Sequence, residues 1–155
     1  MEFEKFEEIN SCGITSSQAL NHNVLVFAFV GDAVFTLYVR EYLASHSTKK
    51  AGVLHTETSK YVKASFQAEL LDILMPLLAE KEKQIALSAR NIKTHNIAKH
   101  STAPEYKKAT SIESVLGYLY MTKQSKRLAE ILQICKEYIK QTEEGVKWKL
   151  KEKMQ

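Results

Sequence analysis

The stretch from Val24 to Arg40 constrains the fold more than any other, because it is an almost continuous apolar run around one carboxylate, Asp32. It has no proline and no cluster of turn residues. It therefore predicts a helix that is apolar on all sides, as expected at the centre of a domain. The run is too short and too interrupted by charge for a membrane span. Burying a carboxylate costs several kcal/mol unless hydrogen bonds, a cation or a metal replace its lost water, so we expect Asp32 to have partners.

Composition favours an all-α fold. The 155-residue chain is 45% hydrophobic and 26% charged, which is enough to build and cover the core of one domain. It contains only five glycines and two prolines, few for the turns of a many-stranded protein. We therefore expect a single helical domain over 1–155, with its core at about 20–140 and a C-terminal helical tail at 142–155.

Helical periodicity predicts the order of the elements. Asn21 or Asn23 is expected to cap the apolar helix, which fades near 45–48. The remaining expectations are a short helix at 2–9, a loop at 11–18, helices at 53–78 and 81–93, a loop at 94–105, and helices at 106–121 and 126–140. The tail around Trp148 alternates charged and apolar residues, so we interpret it as a helix that docks on a partner or a second copy.

The cysteines and the amino-terminal sequence predict a cytoplasmic protein without a membrane partner. Cys12 and Cys135 are far apart and in no metal-ligand spacing, which favours reduced thiols. The first ten residues are acidic and contain no apolar signal core. Neither cysteine has an identifiable histidine partner and the chain has no G-x-S-x-G motif, so nucleophilic catalysis has no support.

Asp32 and Glu113 share a sequence setting. Each lies in an apolar helical run and has a glycine nearby, Gly31 before Asp32 and Gly117 one turn after Glu113. Glycine costs about 1 kcal/mol inside a helix, so these two suggest a close helix–helix approach. If the helices cross there, the carboxylates share one site, and oxygen ligands without Cys or His favour Mg²⁺ or Mn²⁺ over zinc. The alternative is a pair of structural acids, held by helix N-termini or by Arg40.

The segment from 90 to 108 is rich in cations. Its basic and histidine side chains are Arg90, Lys93, Lys99, Lys107, Lys108, His95 and His100 against Glu105 as the one acid, and Asn91 adds an amide. Such a segment can follow a phosphate backbone, with small polar groups reaching sugar hydroxyls. A solvated surface loop is the alternative. Because the segment leads into the helix of Glu113, it fits metal-assisted phosphodiester cleavage, in which one part holds the polyanion and another holds the metal.

Five stretches together resemble the ribonuclease III family, and more closely its Mini-ribonuclease III branch, which has the catalytic domain and no double-stranded-RNA-binding domain. FVGDAVFTLYVR at 29–40 resembles the signature helix, and KKATSIESVLGYLY at 107–120 resembles the second acidic helix. The branch-like features are the Leu54-His55 pair, the YVKASFQA run at 61–68 and the Arg90-Asn91-Ile92-Lys93 entry to an RNA-contacting loop. These stretches keep their order over about residues 20–140.

The resemblance implies an all-α domain that forms a symmetric homodimer and lays double-stranded RNA across a valley, with one acidic site per subunit. By matching positions, Asp32 and Glu113 become the Mg²⁺-binding catalytic pair, with Mn²⁺ as a substitute. A metal-activated water would leave a 5′-phosphate and a 3′-hydroxyl. Arg90, Asn91 and Lys93 carry over as RNA-contacting residues. Maturation of large-subunit (23S) ribosomal RNA precursors, helped by a ribosomal protein that shapes the substrate, is the implied role.

The chain departs from the family pattern at four places. Ala28 stands where full-length ribonuclease III enzymes have a glutamate, and Thr110 where they have an aspartate; the Mini branch resembles this chain at both. Thr36 occupies a position that is often acidic, and Ser88-Ala89 replaces an Arg-Gly-like pair. With fewer acids and one positive charge fewer, we expect modest activity with a strong dependence on Mg²⁺ and salt.

Two other functional classes remain as alternatives. A non-catalytic double-stranded-RNA-binding protein on the same scaffold would use the basic segment but would not need Asp32 and Glu113 together. An all-α nucleotide pyrophosphatase would need several acids in Glu-x-x-Glu spacing on facing helices, whereas Glu4 and Glu7 lie in the surface-like amino-terminal segment. The metal-dependent endoribonuclease is the leading interpretation.

Overall fold

A computed structural model describes residues 12–93 and 102–151 of the chain. Over these residues the fold is all-α, as predicted, and no strand occurs in them. The α-helices are α1 (Ser16–Ala19), α2 (Val24–Ser45), α3 (Ala51–Val62), α4 (Ala64–Leu74), α5 (Glu80–Asn91), α6 (Ala103–Met121) and α7 (Ser125–Glu143), with a 3₁₀ turn at Met75–Leu77 after α4. None of these helices is both long and apolar enough to cross a lipid bilayer.

Helix α2 is the predicted apolar helix, but it is not buried on all sides. Asn23 caps it, as one of the two predicted candidates, by accepting a hydrogen bond from the Leu25 amide at 2.9 Å. One stripe of apolar residues faces away from the rest of the chain: Phe29 is 81% exposed, and Val26 and Leu37 are also exposed. The prediction of a helix buried all round is therefore wrong for this face.

Helix α6 is the central element of the fold. Every residue from Ala109 to Leu119 is buried except Glu113, which is partly buried. The helix begins earlier than predicted, because Thr102 caps it. The Thr102 Oγ1 accepts a hydrogen bond from the Glu105 amide, and the Glu105 carboxylate accepts one from the Thr102 amide. Helices α2, α4 and α5 all pack against α6.

The α2–α6 contact is a close backbone approach at two glycines. A Cβ atom added to Gly31 would lie 1.7 Å from the Glu113 carbonyl oxygen, and one added to Gly117 would lie 1.8 Å from the Phe27 carbonyl oxygen. The Ser114 hydroxyl also donates to the Val24 carbonyl oxygen at 3.0 Å, joining the same two helices. The close approach predicted from the two glycines is thus present in the fold.

The predicted long helix over 53–78 is wrong in one respect, because it is two helices. Lys63 adopts an extended conformation (φ −69°, ψ 152°), which ends α3 and starts α4. No glycine or proline marks this break, and the apolar periodicity continues across it. Pro76 lies in the 3₁₀ turn that follows α4, near the predicted break.

The tail packs against its own chain. The Gln141 side chain receives a hydrogen bond from the Lys149 amide at 2.9 Å and donates one to the Lys149 carbonyl oxygen at 3.0 Å. The Trp148 ring contacts the Tyr138 ring edge-on, with centroids 5.5 Å apart. Between α7 and Lys151 the tail is not helical, so the predicted tail helix is wrong over those residues. The predicted loop at 11–18 contains the start of α1, and the predicted helix at 2–9 lies outside the described residues.

Candidate active site

The two predicted acids come together where α2 crosses α6. Gly31 packs directly on the backbone of Glu113, which places its neighbour Asp32 at the same helix crossing. Asp32 is close enough to Glu113 for its negative charge to disfavour the ionisation of Glu113. The small residues of the crossing therefore determine the separation of the two carboxylates. A side chain on either glycine would push the helices, and with them the acids, apart.

The environment of Glu113 disfavours its ionised form. Burial raises the pKa of Glu113, the negative charge of Asp32 raises it further, and a hydrogen bond from Gln67 lowers it, which leaves a pKa of about 8. When two carboxylates share a site and no cation lies between them, their repulsion raises the pKa of at least one of them. A divalent cation would remove both the repulsion and the need for the proton.

The exposure of the Asp32 side chain differs from the prediction. The sequence predicts a buried carboxylate, whereas the Asp32 side chain is exposed at the surface of α2. Its position follows from the exposed stripe of the helix, because Asp32 is one turn after Phe29. The predicted structural partner is also missing: among the ion pairs of the described residues, none joins Arg40 to either acid. Asp32 is thus open to solvent, while Glu113 forms the inner side of the pair.

Gln67 is a residue of this site that sequence reasoning missed. It lies in α4 with only 1% of its surface exposed, and its amide hydrogen-bonds to the Glu113 carboxylate. Its Nε2 also donates to the Val62 carbonyl oxygen at 3.1 Å. Its Oε1 is buried and has no hydrogen-bond partner. The YVKASFQA run contains this glutamine and was the one sequence feature that pointed to it.

The family positions that lack an acid contain small buried side chains here. Ala28 is 6% exposed, and so is Thr110, whose hydroxyl donates to the Tyr106 carbonyl oxygen at 2.9 Å. Within residues 12–93 and 102–151, no group of three or more His, Cys, Asp or Glu side chains is close enough to hold a metal. The donor set of the crossing is therefore two carboxylates and an unpaired buried amide oxygen. These oxygen donors fit a hard divalent cation that keeps several of its own waters.

The predicted RNA-contacting residues are only partly brought together. Arg90 and Asn91 are exposed in the last turn of α5, and Lys93 is exposed just beyond it. Lys107 is partly buried in α6, while the Lys108 ammonium is bound by the Asp72 carboxylate at 2.8 Å to each oxygen. Lys108 is thus less available to an anion than predicted. Lys99, His95 and His100 lie outside the described residues.

Comparison with known proteins agrees with this geometry. The sequence profile of the Ribonuclease III domain family matches residues 25–124, which include both acids. The chain belongs to the ribonuclease III family. Its family membership makes it an endoribonuclease, as predicted, and argues against the pyrophosphatase alternative.

Similar curated proteins identify the branch. The chain is 38% identical over 128 residues to the Mini-ribonuclease 3 of Thermoanaerobacter sp. (strain X514), covering 83% of this chain and 90% of that protein. It is 40% identical over 111 residues to the Mini-ribonuclease 3 of Brevibacillus brevis, covering 72% and 83% respectively. The resemblance to the Mini-ribonuclease III branch is therefore confirmed.

A solved structure supports the fold. An X-ray crystal structure of a Fusobacterium nucleatum protein superposes with a TM-score of 0.69 at 29% sequence identity, covering 76% of this chain and 93% of that one.

Proposed function

We propose that the protein is a Mg²⁺-dependent endoribonuclease that cleaves double-stranded RNA with Asp32 and Glu113 as its metal ligands. The observation that carries the proposal is the α2–α6 crossing, where the helices of the two acids are in backbone contact at Gly31 and the charge of Asp32 acts on Glu113. The raised pKa of Glu113 supports a cation site, because a bound cation offsets the repulsion that raises it. Mn²⁺ is expected to substitute for Mg²⁺, since it accepts the same oxygen ligands.

The two acids have different tasks in this mechanism. Exposed Asp32 is the ligand that an incoming phosphodiester can approach, and partly buried Glu113 fixes the inner side of the site. Glu113, whose pKa is raised, must lose its proton to bind a cation, so the site is more competent at higher pH. A divalent cation held by these two carboxylates would supply an activated water and would offset the negative charge of the reacting phosphodiester. The expected products carry a 5′-phosphate and a 3′-hydroxyl.

The surface around Arg90 is proposed to bind the RNA backbone. Arg90, Asn91 and Lys93 are exposed at the carboxyl end of α5, and the segment containing Lys99 connects this end to the helix of Glu113. Lys107 is proposed as a weaker contact because it is partly buried. With a few phosphate contacts, binding is expected to weaken steeply as salt concentration rises.

A homodimer is proposed from the exposed apolar stripe on α2. Val26, Phe29 and Leu37 are spaced along one face of a 22-residue helix and are exposed in the single chain. A contiguous apolar face of this kind is commonly covered by a second copy in a symmetric dimer. Asp32 lies beside the stripe, so pairing of two such faces would bring two acid sites near one duplex.

The natural substrate is proposed to be the precursor of large-subunit (23S) ribosomal RNA. Membership of the Mini-ribonuclease III branch supports this proposal. Selection of one RNA is expected to need a ribosomal protein that shapes the substrate.

Duplex cleavage tests the proposal. An end-labelled RNA duplex and its single strands are incubated with the protein at low salt, with Mg²⁺, Mn²⁺ or a chelator. We expect cleavage of the duplex only, dependent on the cation and reduced at least tenfold between 50 and 200 mM salt, on the order of the loss from about three phosphate contacts. Duplex binding without cleavage in either cation would instead support the non-catalytic RNA-binding alternative.

A further inference from the structure

Gln67 interacts with Glu113, the inner acid of the pair, and has an amide oxygen that the fold leaves without a partner. The side chain is 1% exposed, and its Oε1 is the only buried side-chain nitrogen or oxygen in the described residues that has no hydrogen bond. Leaving a buried polar atom unpaired destabilises a fold, because its lost hydration is not replaced. A glutamine with this cost in the core therefore needs an explanation.

The orientation of the amide follows from its neighbours. The Val62 carbonyl oxygen can only accept a hydrogen bond, so the atom 3.1 Å from it must be the amide nitrogen. The Glu113 carboxylate also accepts, and it receives a hydrogen bond from the same side chain. Both protons of Nε2 are thereby used, and Oε1 is the remaining atom.

The position of Oε1 is restricted by covalent geometry. The nitrogen and oxygen of an amide are about 2.2 Å apart, so Oε1 lies next to the nitrogen that acts on Glu113. Oε1 is therefore close to the Glu113 carboxylate. Because Mg²⁺ usually keeps several waters, an oxygen in this position can contact the cation or one of its waters.

We propose that Gln67 is a positioning residue of the metal site, which holds Glu113 through Nε2 and completes the oxygen set of the cation through Oε1. This inference rests on the proposed function. It assigns a role to a neutral side chain at a crossing where only two carboxylates are available. It also explains why the amide is anchored on Val62 at the end of α3: the anchor fixes the direction of the amide before a cation binds.

A purely structural role is the competing explanation. The hydrogen bond to Val62 satisfies a carbonyl at the C-terminus of α3, and its loss would destabilise the protein whatever happens at the metal. Gln141 provides a matched control for this effect. It is 6% exposed, and its Nε2 likewise donates to a glutamate, Glu137, and to a carbonyl oxygen, that of Lys149. Its own oxygen is paired with the Lys149 amide.

The test compares the wild type with Gln67→Met, Gln67→Glu and Gln141→Met. Mn²⁺ affinity is measured without RNA by the loss of the free-ion electron paramagnetic resonance signal, and thermal unfolding is followed in parallel. We expect Gln67→Met to weaken Mn²⁺ binding at least tenfold, the range typical of residues that orient metal ligands, while Gln141→Met leaves it unchanged. Both methionine variants are expected to lower the melting temperature.

In cleavage assays, Gln67→Met is expected to lower kcat at limiting Mg²⁺ and to leave the KM for the duplex unchanged. Should Gln67→Met fail to fold, Gln67→Glu decides, because its carboxylate places a stronger oxygen ligand at the same position and should tighten Mn²⁺ binding severalfold. Mn²⁺ affinity within twofold of the wild type in the folded Gln67 variants would overturn the inference. A wild type that neither binds Mn²⁺ nor cleaves RNA would instead overturn the proposed function.

Discussion

At the scale of single residues, the site depends on an inner acid with a raised pKa beside an outer, exposed one. The sequence predicted the pair because each acid interrupts an apolar helix and has a glycine nearby. It did not predict that Asp32 would be exposed, because an apolar neighbourhood in sequence says nothing about which side of the helix the chain itself covers. Gln67 was missed for a related reason: a glutamine in an amphipathic helix has the same pattern whether it is buried or solvated.

The pKa of Glu113 leads to a prediction about stability and pH. Folding raises this pKa from 4.5 to about 8. Between pH 4.5 and pH 8, Glu113 therefore keeps its proton in the folded state and has lost it in the unfolded state. The free energy of unfolding of the metal-free protein should therefore fall as pH rises from about 4.5 to 8. We expect a loss of about 2 kcal/mol, less than the full linkage value because the side chain is partly exposed.

Urea unfolding at pH 5 and pH 8 measures this effect, with Glu113→Gln as the comparison. The variant should resemble the wild type at pH 5 and be the more stable protein at pH 8. Mg²⁺ should restore stability to the wild type at pH 8 and have little effect on the variant. An equal difference between the two proteins at both pH values would contradict the account.

At the scale of elements, the α2–α6 crossing links the fold to the site. Its existence was predictable, since two glycines in apolar helices have few uses other than close approach. The division of the predicted 53–78 helix at Lys63 was not predictable. No helix-breaking residue is present there. The carbonyl oxygen of Val62, at the end of α3, instead accepts a hydrogen bond from the Gln67 side chain in the next helix.

The crossing yields a prediction for glycine substitutions. Gly31→Ala places a methyl group onto the Glu113 backbone, which cannot move aside as a flexible side chain would. We expect a destabilisation of about 3 kcal/mol or more, together with a loss of Mn²⁺ affinity as the acids separate. Gly52→Ala is the control, because Gly52 lies in α3 with no atom within 4 Å of the added carbon. It should be neutral or stabilising by up to about 1 kcal/mol.

Denaturant unfolding of the two alanine variants checks this prediction. If Gly31→Ala were as stable as Gly52→Ala, the close approach of the two helices would be wrong, and with it the geometry of the acid pair.

At the scale of the whole molecule, α6 rather than α2 occupies the centre. The all-α class was predictable from the composition and the apolar periodicity. The identity of the central helix was not, because a helix that packs on its own chain and a helix that pairs with a second copy are equally apolar in sequence. The exposed stripe of α2, which the single chain leaves uncovered, is therefore the proposed dimer interface.

The dimer proposal predicts the effect of removing the largest side chain of the stripe. Phe29→Ser should convert the protein to a monomer at micromolar concentration and reduce duplex cleavage at least tenfold, while leaving its helical content unchanged. Val53→Ser is the control, since Val53 is an exposed apolar residue (47% exposed) on a different helix, α3. Sedimentation velocity distinguishes the outcomes. A wild type that sediments as a 17.7 kDa monomer would contradict the dimer.

The central claim is that Asp32 and Glu113 together perform the cleavage. The most direct measurement is single-turnover cleavage of an RNA duplex at low salt with saturating Mg²⁺ by the wild type, Asp32→Asn and Glu113→Gln. Glu41→Gln, which changes an exposed acid on the same helix as Asp32, serves as the control. The account predicts that both site variants lose at least a thousandfold in rate, or about 4 kcal/mol of transition-state stabilisation, and still bind the duplex. Cleavage by either site variant at the rate of Glu41→Gln would contradict it.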